Sequence, residues 1–124
     1  MKTAVIILSD PKNGTEEALG RVFNALALAF ECKQKGDEVA LVFNGTGTRW
    51  PAELSKLSHP TNSLYNSVRD IVRGATRGCA EVFAARETAQ ACGVSLVEDH
   101  ALAGTAGLLS LRRYVAEGWN TAVF

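Results

Sequence analysis

Short, continuous apolar runs alternate with amphipathic stretches along this chain, and no other property of the sequence limits its fold as strongly. Residues 4–8 are rich in β-branched side chains and lead into the polar stretch 9–14, as expected of a strand that is covered on both faces. From Thr15 the apolar residues recur at helical spacing, and Gly36 follows the last turn. Because parallel strands are joined by crossovers that cover the sheet, this alternation predicts a parallel sheet between helical layers.

The remaining elements are predicted in the same way. Further strands are predicted at residues 38–43, 80–84, 94–97 and 121–124, and further helices at 52–57, 64–74, 87–92 and 105–118. No linker, repeat or low-complexity tract interrupts the pattern, and 124 residues suit one domain. The sequence therefore predicts a single domain, residues 1–124, with an α/β fold: a three-layer α/β/α sandwich around a mainly parallel five-stranded sheet.

Charge and composition exclude several classes of partner. Lysines and arginines number 13, as do aspartates and glutamates, so the net charge is zero; this argues against nucleic acid or a membrane as the main partner and favours self-association. The first apolar run is too short for a signal peptide or a membrane span, which predicts a cytoplasmic protein. The three cysteines lack CxxC spacing, and no nucleotide-loop or metal-ligand motif is present, so we expect reduced thiols, no cofactor and no metal.

Polar residues follow the first three predicted strands. In open α/β sheets, ligands bind beyond the carboxyl ends of the strands, so these residues form one candidate ligand-binding face. Its members are Ser9, Asp10, Asn44, Gly45, Thr46 and Arg86. Hydroxyl groups, amides and backbone N–H groups, with Arg86 as the counter-charge, would suit a small anionic ligand. Alternatively, these residues only turn the chain, and Arg86 pairs with Glu87 or with a neighbouring subunit.

Four stretches together resemble one known superfamily. They are AVIILSDPKNGTEEALGRVFNALALAF, KGDEVALVFNGTGT, VFAARETAQACGV and GLLSLRRYVAEGWNTAVF. In this order and spacing they are similar to the DsrE/DsrF-like superfamily (YchN-like proteins), small α/β proteins that include bacterial sulfur-relay subunits. The resemblance implies a flavodoxin-like sandwich, assembly into homo-oligomers, often trimers or hexamers, and a link to sulfur or redox metabolism through a sulfur-relay partner protein.

The resemblance also implies where a sulfur-accepting cysteine would lie. In the sulfur-carrying members it lies at the end of the third strand or in the turn just after it. Alignment on Gly93 and Val94 puts that position at or beside Ala85, with Thr88 where some members have a further cysteine. The sequence therefore favours a non-catalytic protein that binds a ligand or partner and lacks the usual cysteine, and whether the chain is an enzyme stays open.

The three cysteines provide the alternative to this interpretation. Cys79 precedes the predicted third strand, Cys92 ends a short helix, and Cys32 lies near the end of the first helix; all three are therefore expected at the opposite end of the sheet from the candidate face. They are either inert packed thiols or a relocated site in which Cys79, near Arg77, carries a persulfide and Cys92 resolves it.

Two further features complete the candidates. Asp99 precedes His100 and is a weak candidate for a carboxylate that orients a base, because adjacent side chains often point apart. Residues 48–65 concentrate Trp50, His59 and other ring side chains between recognisable elements. This segment is interpreted as a lid over the candidate face, as part of a subunit interface, or as a loop whose side chains pack beneath it.

Overall fold

A computed structural model describes all 124 residues, and its central element is a five-stranded sheet. The strands are β1 (Lys2–Ile7), β2 (Glu38–Phe43), β3 (Val72–Thr76), β4 (Leu96–Val97) and β5 (Asn120–Val123). They lie in the order β4-β3-β2-β1-β5, and every neighbouring pair is parallel. The predicted α/β class with a parallel five-stranded sheet is confirmed.

Six α-helices connect the strands. They are α1 (Glu16–Gln34), α2 (Trp50–Leu54), α3 (Asn62–Val68), α4 (Arg77–Val82), α5 (Arg86–Ala91) and α6 (Leu111–Ala116), with 3-10 turns at Pro11–Asn13, Gly45–Arg49 and Arg69–Ile71. α1 begins just after Thr15, where the helical spacing predicts it, and the Thr15 hydroxyl accepts a hydrogen bond from the backbone N–H of Ala18 at 3.2 Å. That capping bond satisfies one of the amide groups that the first turn of a helix leaves unpaired.

The main core lies on one face of the sheet, beneath α1, α2, α3 and α5. Its largest fully buried side chains include Phe43, Tyr65, Leu26, Leu41 and Leu54. Each such side chain contributes about 1.5–3 kcal/mol to folding when it leaves water. On the other face, a small cluster forms around Ile6, Val42 and Leu109, packed against residues of α6. Helices therefore cover both faces, but one layer is much thicker than the other.

The predicted third strand at residues 80–84 is wrong. These residues form the end of α4 and the turn after it, whereas the third strand is Val72–Thr76, at the end of the predicted helix 64–74. A short run of small and apolar residues suits either element, and the pairing of β3 with β2 and β4 decides between them. Gly74 makes this pairing possible, because a Cβ there would lie 2.6 Å from Cγ2 of Val97.

The other boundaries shift by smaller amounts. The helix predicted at 52–57 is Trp50–Leu54, and the last helix begins at Leu111 instead of near residue 105. Residues 98–110 form an irregular connection, in which His100 and Leu108 pair through an isolated antiparallel bridge. This connection reaches α4, since the backbone N–H of Gly78 donates to the carbonyl of Gly107 at 2.8 Å.

Candidate functional site

The loops after β1 and β2 meet the end of β3 and the start of α4 at one edge of the sheet, here termed the carboxyl edge. The Thr76 hydroxyl donates a hydrogen bond to Oδ1 of Asn44, and both residues are buried. The Thr46 hydroxyl donates to the carbonyl of Leu8 at 2.8 Å. These two bonds tie the loop after β2 to the strands on either side of it. Asn44 and Thr46 thus lie together as predicted, but their side chains are engaged in holding the edge.

Ser9 and Asp10, which follow β1, also make internal contacts. The Ser9 hydroxyl accepts a hydrogen bond from Nε1 of Trp50 at 3.1 Å, and Oδ1 of Asp10 accepts one from the backbone N–H of Lys12 at 2.9 Å. Trp50 is only 2% exposed, and Tyr65 is fully buried. These two aromatic residues of segment 48–65 therefore pack beneath it, which agrees with the third interpretation of that segment.

Arg49 is the cation that the sequence did not single out at the carboxyl edge. Its Nη1 lies 3.0 Å from Oδ2 of Asp10, and its Nε donates to the carbonyl of Phe83 at 3.1 Å. The guanidinium also lies 5.5 Å from the centre of the Phe83 ring. Arg49 thus joins the loop after β1 to the end of α4. The small residues after β2 predict a turn, but the sequence does not show where Arg49 lies. The 3-10 helix Gly45–Arg49 places Arg49 at the carboxyl edge.

Arg86 does not join the other predicted side chains. It opens α5, where its guanidinium lies 3.8 Å from Glu81 and 4.0 Å from Glu87. It lines a cavity of about 530 Å³ between α4 and α5, to which neither Ser9 nor Asp10 contributes. The predicted position of Arg86 in the loop after the third strand is wrong, because a helix and not a strand precedes it. The alternative predicted for Arg86, an ion pair with Glu87, is present.

Cys79 lies at the carboxyl edge, contrary to the sequence prediction. β3 ends at Thr76, and Cys79 lies in the first turn of α4, where it is half-buried. Ala85, the aligned position, is buried and follows α4 instead of a strand. Cys92 ends α5 just before β4, and Cys32 lies in the last turns of α1, so these two thiols lie toward the opposite edge as predicted. All three cysteines are free.

α4, the helix that carries Cys79, also carries ion-paired residues and an exposed apolar side chain. The Arg77 guanidinium lies 3.4 Å from carboxylate oxygens of both Glu81 and Glu98, so its charge is shared between two acids. Val82, one turn further along α4, is 73% exposed. Because residues three apart share a helix face, this apolar side chain lies beside the thiol. Cys79 therefore shares a helix face with an exposed apolar side chain, whereas Arg77 and Glu81, each two residues away, lie on a different face of α4.

A cavity of about 330 Å³ opens at the carboxyl ends of β1 and β5. Ser9, Asp10, Thr15 and Arg21 line it, together with Phe124. The order of the sheet reverses here, because β2 lies on one side of β1 and β5 on the other. Such switch points are the usual ligand sites of open α/β sheets. The cavity thus places two of the predicted ligand-binding residues beside a space that can hold a small molecule.

The two histidines have separate environments. Nδ1 of His59 accepts a hydrogen bond from the backbone N–H of Thr61 at 3.1 Å, and the ring packs edge-on against Trp50. His100 is exposed, and the Asp99 carboxylate accepts hydrogen bonds from the backbone of Ser110 and the side chain of Arg113. Asp99 is therefore engaged elsewhere, and the structure gives no support for an Asp99–His100 base.

We expect the protein to lose some stability as the pH falls below the ordinary pKa of histidine. Burial lowers the pKa of His59 from 6.5, with the Glu53 carboxylate acting in the opposite direction. The unfolded chain then binds the proton first, so stability falls as the pH drops through about 6.5 toward the lower folded-state value. His59→Asn keeps an acceptor near Thr61 but does not titrate. Urea unfolding at about pH 7.5 and about pH 5.5 should show a smaller loss in this variant, and equal losses would contradict the prediction.

Comparison with known proteins gives one protein of similar sequence and one of similar structure. No protein-family profile matches the chain. It is 29% identical over 101 residues to the uncharacterized protein MJ0733 of Methanocaldococcus jannaschii. The matched region covers 80% of this chain and 76% of MJ0733. In this chain, no helix combines the length and the apolar character needed to cross a membrane. The structure of BT1422 from Bacteroides thetaiotaomicron, a conserved protein of unknown function, superposes on 99% of this chain and 94% of its own, with a TM-score of 0.64 and 16% sequence identity. The chain therefore shares its α/β fold with BT1422.

Proposed function

We propose that this chain is a DsrE/DsrF-like sulfur carrier that receives a persulfide sulfur on Cys79 and passes it to a partner protein. The observation that supports this most directly is the position of Cys79, half-buried and just beyond the carboxyl end of the third strand. The resemblance places the acceptor cysteine of sulfur-carrying members at that point. Moving the third strand to Val72–Thr76 thus makes Cys79 the leading candidate, where the sequence favoured a protein without an acceptor thiol.

The transfer step needs only a thiolate and a persulfide donor. The Cys79 thiolate attacks the outer sulfur of a persulfide on a donor protein, and a new S–S bond forms at Cys79. The S–S bond of the donor breaks, and the donor leaves as a thiolate. Release to the next protein repeats this exchange with Cys79 as the donor. Electrons balance without an added oxidant, since each transfer exchanges one S–S bond for another.

The surroundings of Cys79 suit contact with another protein. The exposed Val82 lies on the same face of α4 as the thiol, and exposed apolar groups beside a reactive residue favour docking of a partner. Arg77, paired with Glu81 and Glu98, lies on another face of α4 from the thiol. An apolar side chain beside the thiol suits the core of a protein interface, where charged residues are depleted.

A second candidate function is binding of a small ligand without catalysis, in a cytoplasmic homo-oligomer. The cavity at the ends of β1 and β5 favours it, because this cavity is lined by Ser9 and Asp10 and lies at the switch point of the sheet. Its lining contains the acids Asp10 and Glu17 and only one arginine, Arg21, which is paired with Glu17. A polar ligand that is neutral or carries an amine therefore suits this cavity better than the anion expected from the sequence.

Sulfur uptake distinguishes the two candidates. After incubation with a persulfide-loaded sulfurtransferase, we expect mass spectrometry to find one added sulfur on the peptide that contains Cys79. Cys79→Ser should abolish the added mass, whereas the matched variant Cys92→Ser should keep it. Sulfur that appears only on Cys92, or on no cysteine, would contradict the carrier function. In that case, stabilisation of the wild type by a panel of neutral and amine metabolites would support the ligand-binding function.

A further inference from the structure

A second cavity, of about 310 Å³, lies at the opposite edge of the sheet from Cys79. It is here termed the amino-edge cavity, because it opens where β3 and β4 begin, between the ends of α3 and α5. Its lining includes Tyr65, Arg69, Val72, Cys92, Val94 and Ser95. No carboxylate contributes to this lining. Its volume is at the lower end of the range for cavities that bind small molecules.

The Tyr65 hydroxyl is the first sign that this cavity has a ligand. Tyr65 is fully buried, and its hydroxyl makes no hydrogen bond of normal geometry within the protein, although the Arg69 side chain lies near enough to lower its pKa. A buried hydroxyl without a partner costs free energy that phenylalanine, with the same ring, would avoid. Burial raises the pKa of Tyr65 more than the neighbouring Arg69 side chain lowers it, so the hydroxyl keeps its proton at neutral pH and its O–H is available as a donor.

Arg69 is the second residue that indicates a ligand in the amino-edge cavity. Its guanidinium lies 5.0 Å from the centre of the Tyr65 ring, and its Nη2 donates to the hydroxyl of Ser55 at 2.6 Å. It makes no salt bridge, whereas the neighbouring Asp70 is paired with Lys33 at 2.7 Å. Arg69 therefore places an unneutralised charge and free N–H donors at a cavity whose lining also includes Tyr65, the residue with the unpartnered hydroxyl. A guanidinium with free N–H groups matches the geometry of a carboxylate.

We propose that the amino-edge cavity binds a small organic carboxylate. The carboxylate would accept hydrogen bonds from Arg69 and the Tyr65 hydroxyl, and its short apolar part would pack against Val72 and Val94. This assignment uses a different edge of the sheet and different residues from the sulfur carrier function, and it is independent of Cys79. A bare inorganic anion would leave the apolar wall of the cavity without contact.

Benzoate and butyrate serve as probes, with benzamide and butyramide as neutral controls of the same shape. At constant ionic strength, we expect the carboxylates to raise the melting temperature of the wild type and to slow alkylation of Cys92, which lines the cavity. The amides should do neither. Peptide mapping distinguishes Cys92 from the other half-buried thiol, Cys79. Sulfate serves as the inorganic anion. If only sulfate raises the melting temperature, or if none of these compounds does, the proposal is wrong.

Two variants test the named donors. Tyr65→Phe removes only the unpartnered hydroxyl, so without ligand it should melt at or above the wild-type temperature, and its affinity for benzoate should fall about tenfold. Arg69→Gln should abolish the response to benzoate. Ser55→Ala is the matched control, since it removes the hydrogen bond of Arg69 to Ser55 and leaves the charge. If Tyr65→Phe and Arg69→Gln respond to benzoate as the wild type does, the assignment is wrong.

Discussion

Gly47→Ala is expected to lower the free energy of unfolding by about 4 kcal/mol, a large part of the stability of a domain of this size. A Cβ at this position would lie 2.1 Å from the carbonyl oxygen of Ile7 and 2.8 Å from its carbonyl carbon. Both atoms belong to the backbone at the end of β1, so the clash is relieved only if the strand and the loop after β2 move apart. That movement would break the bond between Thr46 and Leu8.

Urea unfolding of Gly47→Ala and Gly20→Ala checks this expectation. Gly20 lies within α1, and a Cβ there meets no atom within 4 Å. Alanine is the better helix former, so Gly20→Ala should stabilise the protein by about 0.5–1 kcal/mol. If Gly47→Ala unfolds within about 1 kcal/mol of the wild type, the close approach of the loop to β1 is not a stability determinant.

Arg49→Ala is expected to cost about 2 kcal/mol of stability. The substitution removes the ion pair with Asp10, the hydrogen bond to the Phe83 carbonyl and the contact with the Phe83 ring. The paired side chains of Arg49 and Asp10 are 20% and 27% exposed, so solvent screens their attraction only in part. Because Arg49 joins the loop after β1 to the end of α4, its loss should also loosen the helix that carries Cys79.

Arg21→Ala provides the matched control for this effect. Arg21 pairs with Glu17 one turn earlier in α1, and both side chains are more than half exposed. Such pairs contribute about 0.5 kcal/mol or less. Chemical unfolding should therefore separate the two arginines clearly, and a double-mutant cycle with Asp10→Asn should assign about half of the Arg49 effect to its charge pair. Equal costs for Arg49→Ala and Arg21→Ala would show that Arg49 does not hold the edge.

The accuracy of the sequence predictions varies along the fold for a physical reason. β1, α1 and β2 were predicted nearly to their ends, because strong local signals mark them: a continuous apolar run, the helical spacing of apolar residues that begins at Thr15, and a second apolar run. β3 was missed because Val72–Thr76 contains glycine and arginine and continues from a helical pattern. Its two parallel neighbours stabilise it as a strand, and no short window of sequence contains them.

The residues of the candidate site also differ in how well the sequence predicted their positions. Ser9, Asp10, Asn44 and Thr46 were predicted because they directly follow strands that were recognised correctly. Cys79 was placed at the wrong edge because its position depended on the missed strand. The other candidate residues could be placed only from the tertiary structure. Arg49 reaches the carboxyl edge through a 3-10 turn. Tyr65 and Arg69 of the amino-edge cavity lie in α3 and in the turn that follows it.

Local patterns thus determine the α/β class, most helices and strands, and the presence of polar loops after β1 and β2. These properties depend on side-chain periodicity and capping, which act within a few residues. Only the tertiary structure decides which run becomes the third strand, and therefore whether Cys79 lies at the carboxyl edge. The reason is that strand pairing and burial are contacts between distant residues, and here they override the helical spacing that precedes β3.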